Sequence, residues 1–331
     1  MLKLIAWQEP TTANALQLAN RDFRMSTPGL ISVDWGTTNL RTYLADLNGG
    51  ILAQVESPSG ILAVENGAFA DVLRAAIGDW IAAHGRLPVV MSGMIGSRQG
   101  WVEAPYVRCP ASIRDIADAL TVFDVDGIGA VHLVPGLDHL PPGEPPDVMR
   151  GEETQILGIM ATAPSSDATL VHPGTHSKWA TVAGNAIVGF KTYMTGEVYG
   201  ALKNHTILGR LMKTGRAEGH GFLRGVEAAR QDGTAGHLLH QLFSVRTLGL
   251  FELLAPDELP EYLSGLLIGS EIKAAAEAGQ SITIFGNDAL TERYGKAADA
   301  LGLTWNRGPE HSVVAGQLLL ARAAGLLGNT P

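Results

Sequence analysis

The chain has 331 residues, of which 46% are hydrophobic and 17% are charged, and its formal net charge at pH 7 is −9. A chain of this length exceeds what one hydrophobic core usually supports, and its composition argues against disorder. The acidic balance also argues against a broad nucleic-acid or anionic-membrane surface, so we expect two domains that act on a small molecule.

The sequence predicts a cytoplasmic protein. Its single cysteine, Cys109, excludes an intramolecular disulfide framework and a cysteine-based zinc site. A single free thiol is typical of a protein in a reducing compartment. No stretch approaches the roughly 18 consecutive apolar residues of a membrane span, and the N-terminus lacks the order of a signal peptide. We predict that residues 1–28 are an N-terminal extension, with Met25 as an alternative start.

The first patterned segment, ISVDWGTTNLRTYLADLNGG, spans residues 31–50 and predicts a β-hairpin with an acid at its bend. Ile31 and Val33 suit a buried strand that ends at Asp34, and Gly36–Asn39 has the small residues of a tight turn. Such a turn lets backbone N–H groups approach a phosphate, and the aspartate could hold a divalent cation nearby. An ordinary hairpin with a polar turn is the alternative.

A third strand (51–57) and an amphipathic helix (69–85) follow the hairpin. A short buried strand at 87–93 then leads into the loop Gly93–Arg98. Because α/β proteins place ligands at the carboxyl ends of strands, Arg98 is a candidate ligand contact.

The next segment predicts a helix at 111–120, a strand at 130–137 and a proline-rich loop at 138–147. A helix at 149–161 then begins with two acids, Glu152 and Glu153. Acids in a first helical turn are favoured by the helix dipole, so helix capping competes with a catalytic role.

The segment ATLVHPGTHSKWATVAGNAIVG, residues 168–189, repeats the outline of the first hairpin. It has a buried strand, a small-residue turn at Pro173–Ser177 and a returning strand, at a domain-sized distance from the first turn. We predict a duplicated fold whose two turns face each other across a cleft. His172 and His176 have an i, i+4 spacing, but the intervening Pro-Gly rules out one helix face, so we reject a zinc site.

The C-terminal part predicts a strand and helix at 190–209 and a helix at 264–279. A strand–glycine–helix unit at 282–302 could hold a nucleotide base or ribose, since glycine leaves room for a flat ring. An apolar helix at 312–327 is expected to pack against the sheet or to cross between the domains.

The order of these elements resembles the actin/hexokinase/Hsp70 superfamily of ATP-using folds. Seven motifs resemble the 2-dehydro-3-deoxygalactonokinase family more closely, from about residue 30 to the C-terminus with an interruption around 210–240. They are DWGTTNLR, SGMIGS, MRGEETQILG, HPGTHSKW, MTGE, SGLLIG and FGNDAL. The resemblance implies two similar α/β domains of the actin/hexokinase-like (ribonuclease H-like) fold, at 29–165 and 166–331, with the active-site cleft between them.

By resemblance, the chain is an ATP-dependent kinase that phosphorylates the C6 hydroxyl of 2-dehydro-3-deoxy-D-galactonate in galactonate catabolism, with Mg²⁺ as metal. Asp34 would hold the metal through water, and Gly286, Asn287 and Ala289 would lie near adenine. The phosphate cradle would consist of Gly36, Thr37, Thr38 and Asn39 on one side, with Gly174, Thr175 and His176 on the other.

The resemblance also places the general base at the start of the helix before the second hairpin, where Glu152 stands, with Glu153 as the competitor. Lys178 would neutralise charge on the transferring group. Arg98 and Arg150 are candidates for the substrate carboxylate and keto group, because a guanidinium binds a carboxylate in a bidentate manner. A structural ion pair is the alternative for both arginines.

Three other functions remain open from sequence alone. The chain could phosphorylate a related sugar acid, 2-dehydro-3-deoxy-D-gluconate, or act as a non-catalytic sugar-acid sensor on the same fold. An ATP-hydrolysing switch, like the chaperone members of the superfamily, is the third alternative. We disfavour it because the sequence shows no appended peptide-binding domain. The expected partner is a small sugar acid rather than nucleic acid or membrane, and a homo-oligomer is possible.

Overall fold

The computed structural model of the chain describes residues 27–162, 167–213, 215, 220–232 and 236–327. The predicted extension at 1–28, including Met25, lies outside the described residues except for its last two positions. Within the described parts of the chain, no helix is long and apolar enough to cross a membrane.

The first unit begins with a meander of three antiparallel strands, and a fourth strand then joins the first one in parallel. The returning strand after the turn and the strand at 51–57 are both confirmed, as is the amphipathic helix. The elements are β1 (Pro28–Trp35), β2 (Leu40–Asp46), β3 (Ile51–Ser57), α1 (Phe69–His84) and β4 (Val89–Ser92).

The segment after β4 contains more strands than the sequence predicts. The predicted strand at 130–137 is two strands, because Pro135 separates them, and the ends of the predicted loop at 138–147 are also extended. The predicted helix at 111–120 is shortened to six residues that begin after Ser112, which caps it. These elements are β5 (Tyr106–Arg108), β6 (Ala111–Ser112), α2 (Ile113–Asp118), β7 (Thr121–Val125), β8 (Gly129–Leu133), β9 (Gly136–His139) and β10 (Asp147–Met149).

The second unit repeats the first. After α3 (Glu152–Thr162), three antiparallel strands are followed by two strands that continue the sheet in parallel from its first strand. Its elements are β11 (Ala168–His172), β12 (Ser177–Ala183), β13 (Ala186–Tyr193), α4 (Thr195–His205), α5 (His220–Ala229), α6 (Leu238–Leu250), α7 (Leu259–Ala275), β14 (Ser281–Ile284), α8 (Asp288–Ala300) and β15 (Thr304–Arg307).

The two large sheets share the arrangement of five strands, in which two parallel strands continue the sheet from the first strand of an antiparallel meander. The sixth strand differs, because β7 lies beside β8 in the first sheet whereas β6 lies beside β13 in the second. The strand orders are β3-β2-β1-β4-β8-β7 and β15-β14-β11-β12-β13-β6, and β10-β9-β5 form a separate small sheet. In each large sheet the turn of the first hairpin lies at the carboxyl end of the central strand, β1 or β11. The predicted duplication of an actin/hexokinase-like α/β unit is therefore confirmed.

The last helix, α9 (Ser312–Ala323), joins the two units. It crosses α3 at small residues: a Cβ on Gly158 would lie 1.8 Å from the carbonyl oxygen of Ser312, and one on Gly316 would lie 1.9 Å from that of Thr154. The buried side chain of Gln317 hydrogen-bonds the backbone of Val33 in the first sheet. The helix thus follows the second unit in sequence but packs on the first. The predicted domain boundaries, 29–165 and 166–331, stay a prediction.

Candidate functional site

A cavity of about 840 Å³ lies between the two units. It forms where the central strands of both sheets end, because the topology brings their carboxyl ends to one cleft. Six of the residues predicted for ligand contact line it, namely Asp34, Thr38, Gly174, Thr175, Gly286 and Asn287.

The first turn, Gly36–Asn39, presents its carbonyl groups to the chain segment 60–62 rather than to the cavity. The carbonyls of residues 36, 37 and 38 accept hydrogen bonds from the backbone N–H groups of residues 61, 62 and 60 at 3.0–3.3 Å. Gly60 is required here, since a Cβ would lie 2.3 Å from the Thr37 carbonyl oxygen. Turning the carbonyls away favours an anion in the cavity, because carbonyl oxygens repel it.

The second turn is supported by the first residues of α4. The N–H of Glu197 donates to the carbonyl of Thr175 at 3.0 Å, and a Cβ on Gly196 would lie 2.4 Å from the Gly174 carbonyl oxygen. The exposed His176 side chain hydrogen-bonds the Glu197 carboxylate. His176 thus contacts a surface acid rather than the cavity.

Asp34 combines burial with negative neighbours. Its carboxylate lies 4.0 Å from the Arg41 guanidinium, which in turn hydrogen-bonds Glu56 at 2.9 Å. Burial raises the pKa of Asp34 to about 6; Arg41 opposes this shift, and the charge of Glu152 adds to it. The carboxylate therefore lies in a region that favours a cation.

The protein side chains at this site fit Mg²⁺ only if water and nucleotide phosphates complete its coordination. Among the described residues, no group of three or more His, Cys, Asp or Glu side chains could hold a metal ion. Mg²⁺ is usually bound by one or two carboxylates together with water and substrate phosphates, so a single aspartate in a phosphate-binding cleft is consistent with it.

The acid pair at the start of α3 is divided between two environments. Glu152 is half-buried, accepts the Arg150 N–H at 3.2 Å and acts electrostatically on Asp34 and His172. Glu153 is fully buried and accepts the Gly151 N–H at 2.6 Å and the hydroxyl of the next residue at 2.9 Å. Burial, with the charge of Glu152, raises the pKa of Glu153 to about 7. Neither acid is among the side chains that line the large cavity, and Glu152 is the one whose charge acts on the cavity residues Asp34 and His172.

The two arginine candidates lie in opposite environments. Arg98 has a side chain that is 87% exposed, 3.5 Å from Glu103. Arg150 is buried: it donates to the Ala104 carbonyl at 2.8 Å and stacks over the Tyr106 ring at 4.4 Å, and its Nε and Nη1 have no hydrogen-bond partner. Arg150 thus holds the loop after the Arg98 segment in place.

Lys178 does not line the cavity. Its ammonium donates to the carbonyl of Val148 at 3.1 Å and to the hydroxyl of Thr192 at 2.8 Å. The same threonine hydroxyl donates to Asp147 at 2.6 Å, so the lysine belongs to a polar contact between the small sheet and the second unit. Its side chain follows the direction that the strand β12 imposes on it.

The strand–glycine–helix unit forms the far wall of the cavity. Gly286 has a φ of +112°, and a Cβ there would lie 3.0 Å from the His172 ring. Asn287 caps α8 by accepting the Leu290 N–H at 3.2 Å, whereas Ala289 is exposed in its first turn. A second, more apolar cavity of about 250 Å³ shares Gly174 and Leu290 with the large one and is also lined by Thr195, Gly196, Tyr199, Ser264, Leu267, Ile268, Arg293 and Tyr294.

Sequence reasoning missed His172 as part of the site. It considered this residue for zinc alone, although the side chain lines the cavity and packs on Phe285 with ring centroids 5.0 Å apart. Burial lowers its pKa below the usual value, and its Nδ1 is buried without a hydrogen-bond partner. Its position within HPGTHSKW, next to the second turn, was the available signal. Other lining residues that were not predicted include Arg41, Tyr43, Gln54, Glu56, Gln155, Asp288 and His311.

Comparisons with known proteins identify the family of this chain. The 2-keto-3-deoxy-galactonokinase family model matches residues 34–320. A 2-dehydro-3-deoxygalactonokinase of Escherichia coli (strain K12) is 36% identical over 281 residues, which cover 83% of this chain and 91% of the relative. A Rhizobium meliloti (strain 1021) protein named a probable 2-dehydro-3-deoxygalactonokinase is 35% identical over 287 residues, 84% of this chain and 92% of its own.

A solved structure extends the likeness to three dimensions. A crystal structure from Sinorhizobium meliloti, provisionally named a 2-dehydro-3-deoxygalactonokinase, has a TM-score of 0.79 and 32% identity, and the match covers 89% of this chain and 96% of the other. The family match and the two relatives each span most of the chain. The resemblance predicted from the motifs is confirmed, and the chain belongs to the 2-keto-3-deoxy-galactonokinase family of kinases.

Proposed function

We propose that this chain transfers the γ-phosphoryl group of ATP to the C6 hydroxyl of 2-dehydro-3-deoxy-D-galactonate, as a step of galactonate catabolism. The observation that carries the proposal is the convergence of Asp34, the first turn and the second turn on one cavity between two duplicated units. The names of the relatives support the substrate.

The two turns would hold the nucleotide phosphates between the units. Thr38 on one side and Gly174 and Thr175 on the other line the cavity, with Gly36, Thr37 and Asn39 completing the first turn. Asp34 would hold Mg²⁺, which supplies charge neutralisation on the phosphates when bound. Most of the rate enhancement would then come from positioning and electrostatics, as phosphoryl transfer requires.

Glu152 would take the proton of the attacking hydroxyl. It starts α3 close enough to Asp34 to raise the pKa of that carboxyl group, and its side chain is half-buried rather than enclosed. Glu153, the competitor, is enclosed by backbone and by Thr154, and we assign it to support of the helix start. General-base catalysis contributes about 10²–10⁴-fold in rate.

The sugar acid would lie on the side of the loop after β4. Arg98 is exposed there with a single long ion pair and is free to meet a carboxylate. Arg150 would stabilise this loop through its hydrogen bond to the Ala104 carbonyl. Lys178 would act at a distance, by its charge and by fixing the contact between the small sheet and the second unit.

The adenine would enter near Gly286, Asn287 and Ala289. The apolar cavity beside Gly174 supports this, because it opens from the phosphate turn and has Tyr199 and Leu290 in its wall. A ring stacked there would replace water on apolar side chains.

Location and assembly are further parts of the proposal. A buried free thiol at Cys109 supports a cytoplasmic location. Exposed apolar side chains on and just after α6, such as Leu239 and Phe251, support a homo-oligomer, which light scattering of the purified protein would detect.

Steady-state kinetics with ATP and each of the two epimeric sugar acids test the proposal. We expect the higher kcat/KM on the galactonate derivative. An equal or reversed preference would overturn the galactonate assignment in favour of a related sugar-acid kinase. Binding of the sugar acid without any turnover would instead support the sensor.

A further inference from the structure

A buried polar cluster lies directly behind the second phosphate turn. Its centre is Glu271 on α7, which is 3% exposed. The Trp179 indole donates to one carboxylate oxygen at 2.8 Å, and the Tyr294 hydroxyl donates to the other at 2.7 Å. The Tyr294 hydroxyl also lies 2.8 Å from that of Ser177. We call these four residues, with Thr195, the Glu271 cluster.

The hydrogen-bond partners of Glu271 are neutral groups. Burial raises the pKa of Glu271, and hydrogen bonds from Thr195, Trp179, Tyr294 and Ser177 oppose that rise. A buried carboxyl group costs free energy unless donors satisfy it, and these four donors therefore fix its position among the surrounding elements.

The cluster joins the strand that leaves the second turn to the helix that packs on this turn. Ser177 is the first residue of β12, immediately after the turn, and Thr195 is the first residue of α4. The residues that follow Thr195 contact the turn backbone directly, through the Glu197 N–H and through the close approach of Gly196 to Gly174. One carboxyl group thus fixes the distance between the strand and the helix that support the turn.

The cluster also borders the smaller cavity. Tyr294 and Thr195 both line it beside Gly174. A change in the cluster would therefore act on the phosphate turn and on this cavity together.

We infer that Glu271 and Tyr294 are positioning residues that set the geometry of the second phosphate turn for the nucleotide. The inference rests on the proposed function, because it assigns the nucleotide phosphates to this turn. Neither side chain lines the large cavity, so both would act on the phosphates through Ser177, Thr195 and the turn backbone. Tyr294 also lines the smaller cavity, and Ser177→Ala separates the two routes because Ser177 lines neither cavity.

A pair of identical substitutions on two buried tyrosines tests this inference. Tyr294→Phe removes the hydroxyl that joins Glu271 to Ser177. Tyr262→Phe is the matched control. Tyr262 is also buried, and its hydroxyl lies 2.8 Å from that of Ser244 rather than from a residue next to the turn. Calorimetric titration with ATP and Mg²⁺, without the sugar acid, gives the dissociation constant for each variant.

We expect Tyr294→Phe to raise the dissociation constant for ATP about tenfold, because the second turn would no longer be held in the geometry that binds the phosphates. Tyr262→Phe should leave it unchanged, and the KM for the sugar acid should remain unchanged in both. Glu271→Gln should show a smaller increase than Tyr294→Phe, because the amide oxygen can still accept from Trp179. Ser177→Ala removes the same link from its other end and replaces Tyr294→Phe if that variant does not fold.

Equal ATP affinities in the tyrosine pair, or an equal loss in both, would overturn the inference in favour of general packing. A wild-type protein that binds ATP but phosphorylates neither sugar acid would overturn the proposed function instead. The binding comparison of the two variants would still decide the role of the cluster in that case.

Discussion

The backbones of Gly151 and Gly93 touch: a Cβ on Gly151 would lie 3.2 Å from the Cα of Gly93. Both glycines have left-handed φ values, +110° and +104°. Gly93 follows β4 at the start of the loop that carries Arg98, and Gly151 directly precedes Glu152. Their contact therefore fixes how far the proposed base stands from the loop that would hold the sugar acid.

Gly151→Ala should damage catalysis as well as stability. A side chain at this φ is strained by about 1–3 kcal/mol, and its Cβ would also push α3 away from Gly93. We expect kcat to fall more than tenfold, because small displacements of reacting groups cost large factors in rate. Steady-state kinetics and urea unfolding measure the two effects.

Gly85→Ala is the control for backbone strain. Gly85 also has a positive φ, +77°, but a Cβ there would meet nothing within 4 Å. We expect a comparable loss of stability with an unchanged kcat. A similar loss of kcat in both variants would show that the Gly151–Gly93 contact has no specific part in catalysis.

Glu152→Ala should lower kcat by about 10²–10⁴-fold, since the proton of the attacking hydroxyl would lose its acceptor. ATP binding should be nearly retained, because the phosphates are assigned to the two turns. Gln155→Ala is the control and should retain most activity, since Gln155 is on the same helix and lines the cavity but has no carboxylate. Wild-type turnover in Glu152→Ala would remove this residue from the mechanism.

The sequence predicted the fold because the repeated signals are local. A buried strand, a small-residue turn and a returning strand lie within about twenty residues, and Asp34 and Gly174 reach the cleft simply by following the central strands. Strand pairing places each turn at the carboxyl end of its own sheet, and the packing of the two units brings both turns to one cavity.

Side-chain direction and burial were not predictable in the same way. Lys178 lies near the second turn in sequence, yet its ammonium contacts Val148 from a distant strand. Arg150 precedes the acid pair, yet it is covered by Tyr106 and the Ala104 carbonyl. These contacts depend on the small sheet β10-β9-β5, whose short strands carry little periodicity.

Glu153 should make stability depend on pH. Its pKa rises from 4.5 to about 7 on folding, mainly through burial. Below pH 4.5 the group is protonated in both states; between the two pKa values the unfolded chain releases the proton first, so stability falls as pH rises and levels off above pH 7. A shift of this size corresponds to roughly 3 kcal/mol at most.

Glu153→Gln lacks this titration. Its free energy of unfolding should therefore rise relative to that of the wild type between pH 5 and pH 8. Urea unfolding at both pH values measures the difference in the free energy of unfolding. Glu65→Gln removes an exposed glutamate and is the control. Its free energy of unfolding should change with pH as that of the wild type does. If the profile of Glu153→Gln follows the wild type as well, Glu153 does not carry the raised pKa.

Asp34→Asn should weaken the dependence of activity on Mg²⁺. The raised pKa of Asp34, about 6, arises in a buried site where Glu152 adds negative charge, and a cation would relieve both effects. We expect the Mg²⁺ concentration for half-maximal activity to rise at least tenfold. Asp288→Asn is the matched control, because this aspartate also lines the cavity but is paired with Arg307 at 2.8 Å. An unchanged Mg²⁺ titration in Asp34→Asn, or an equal shift in both variants, would count against Asp34 as the metal-holding residue.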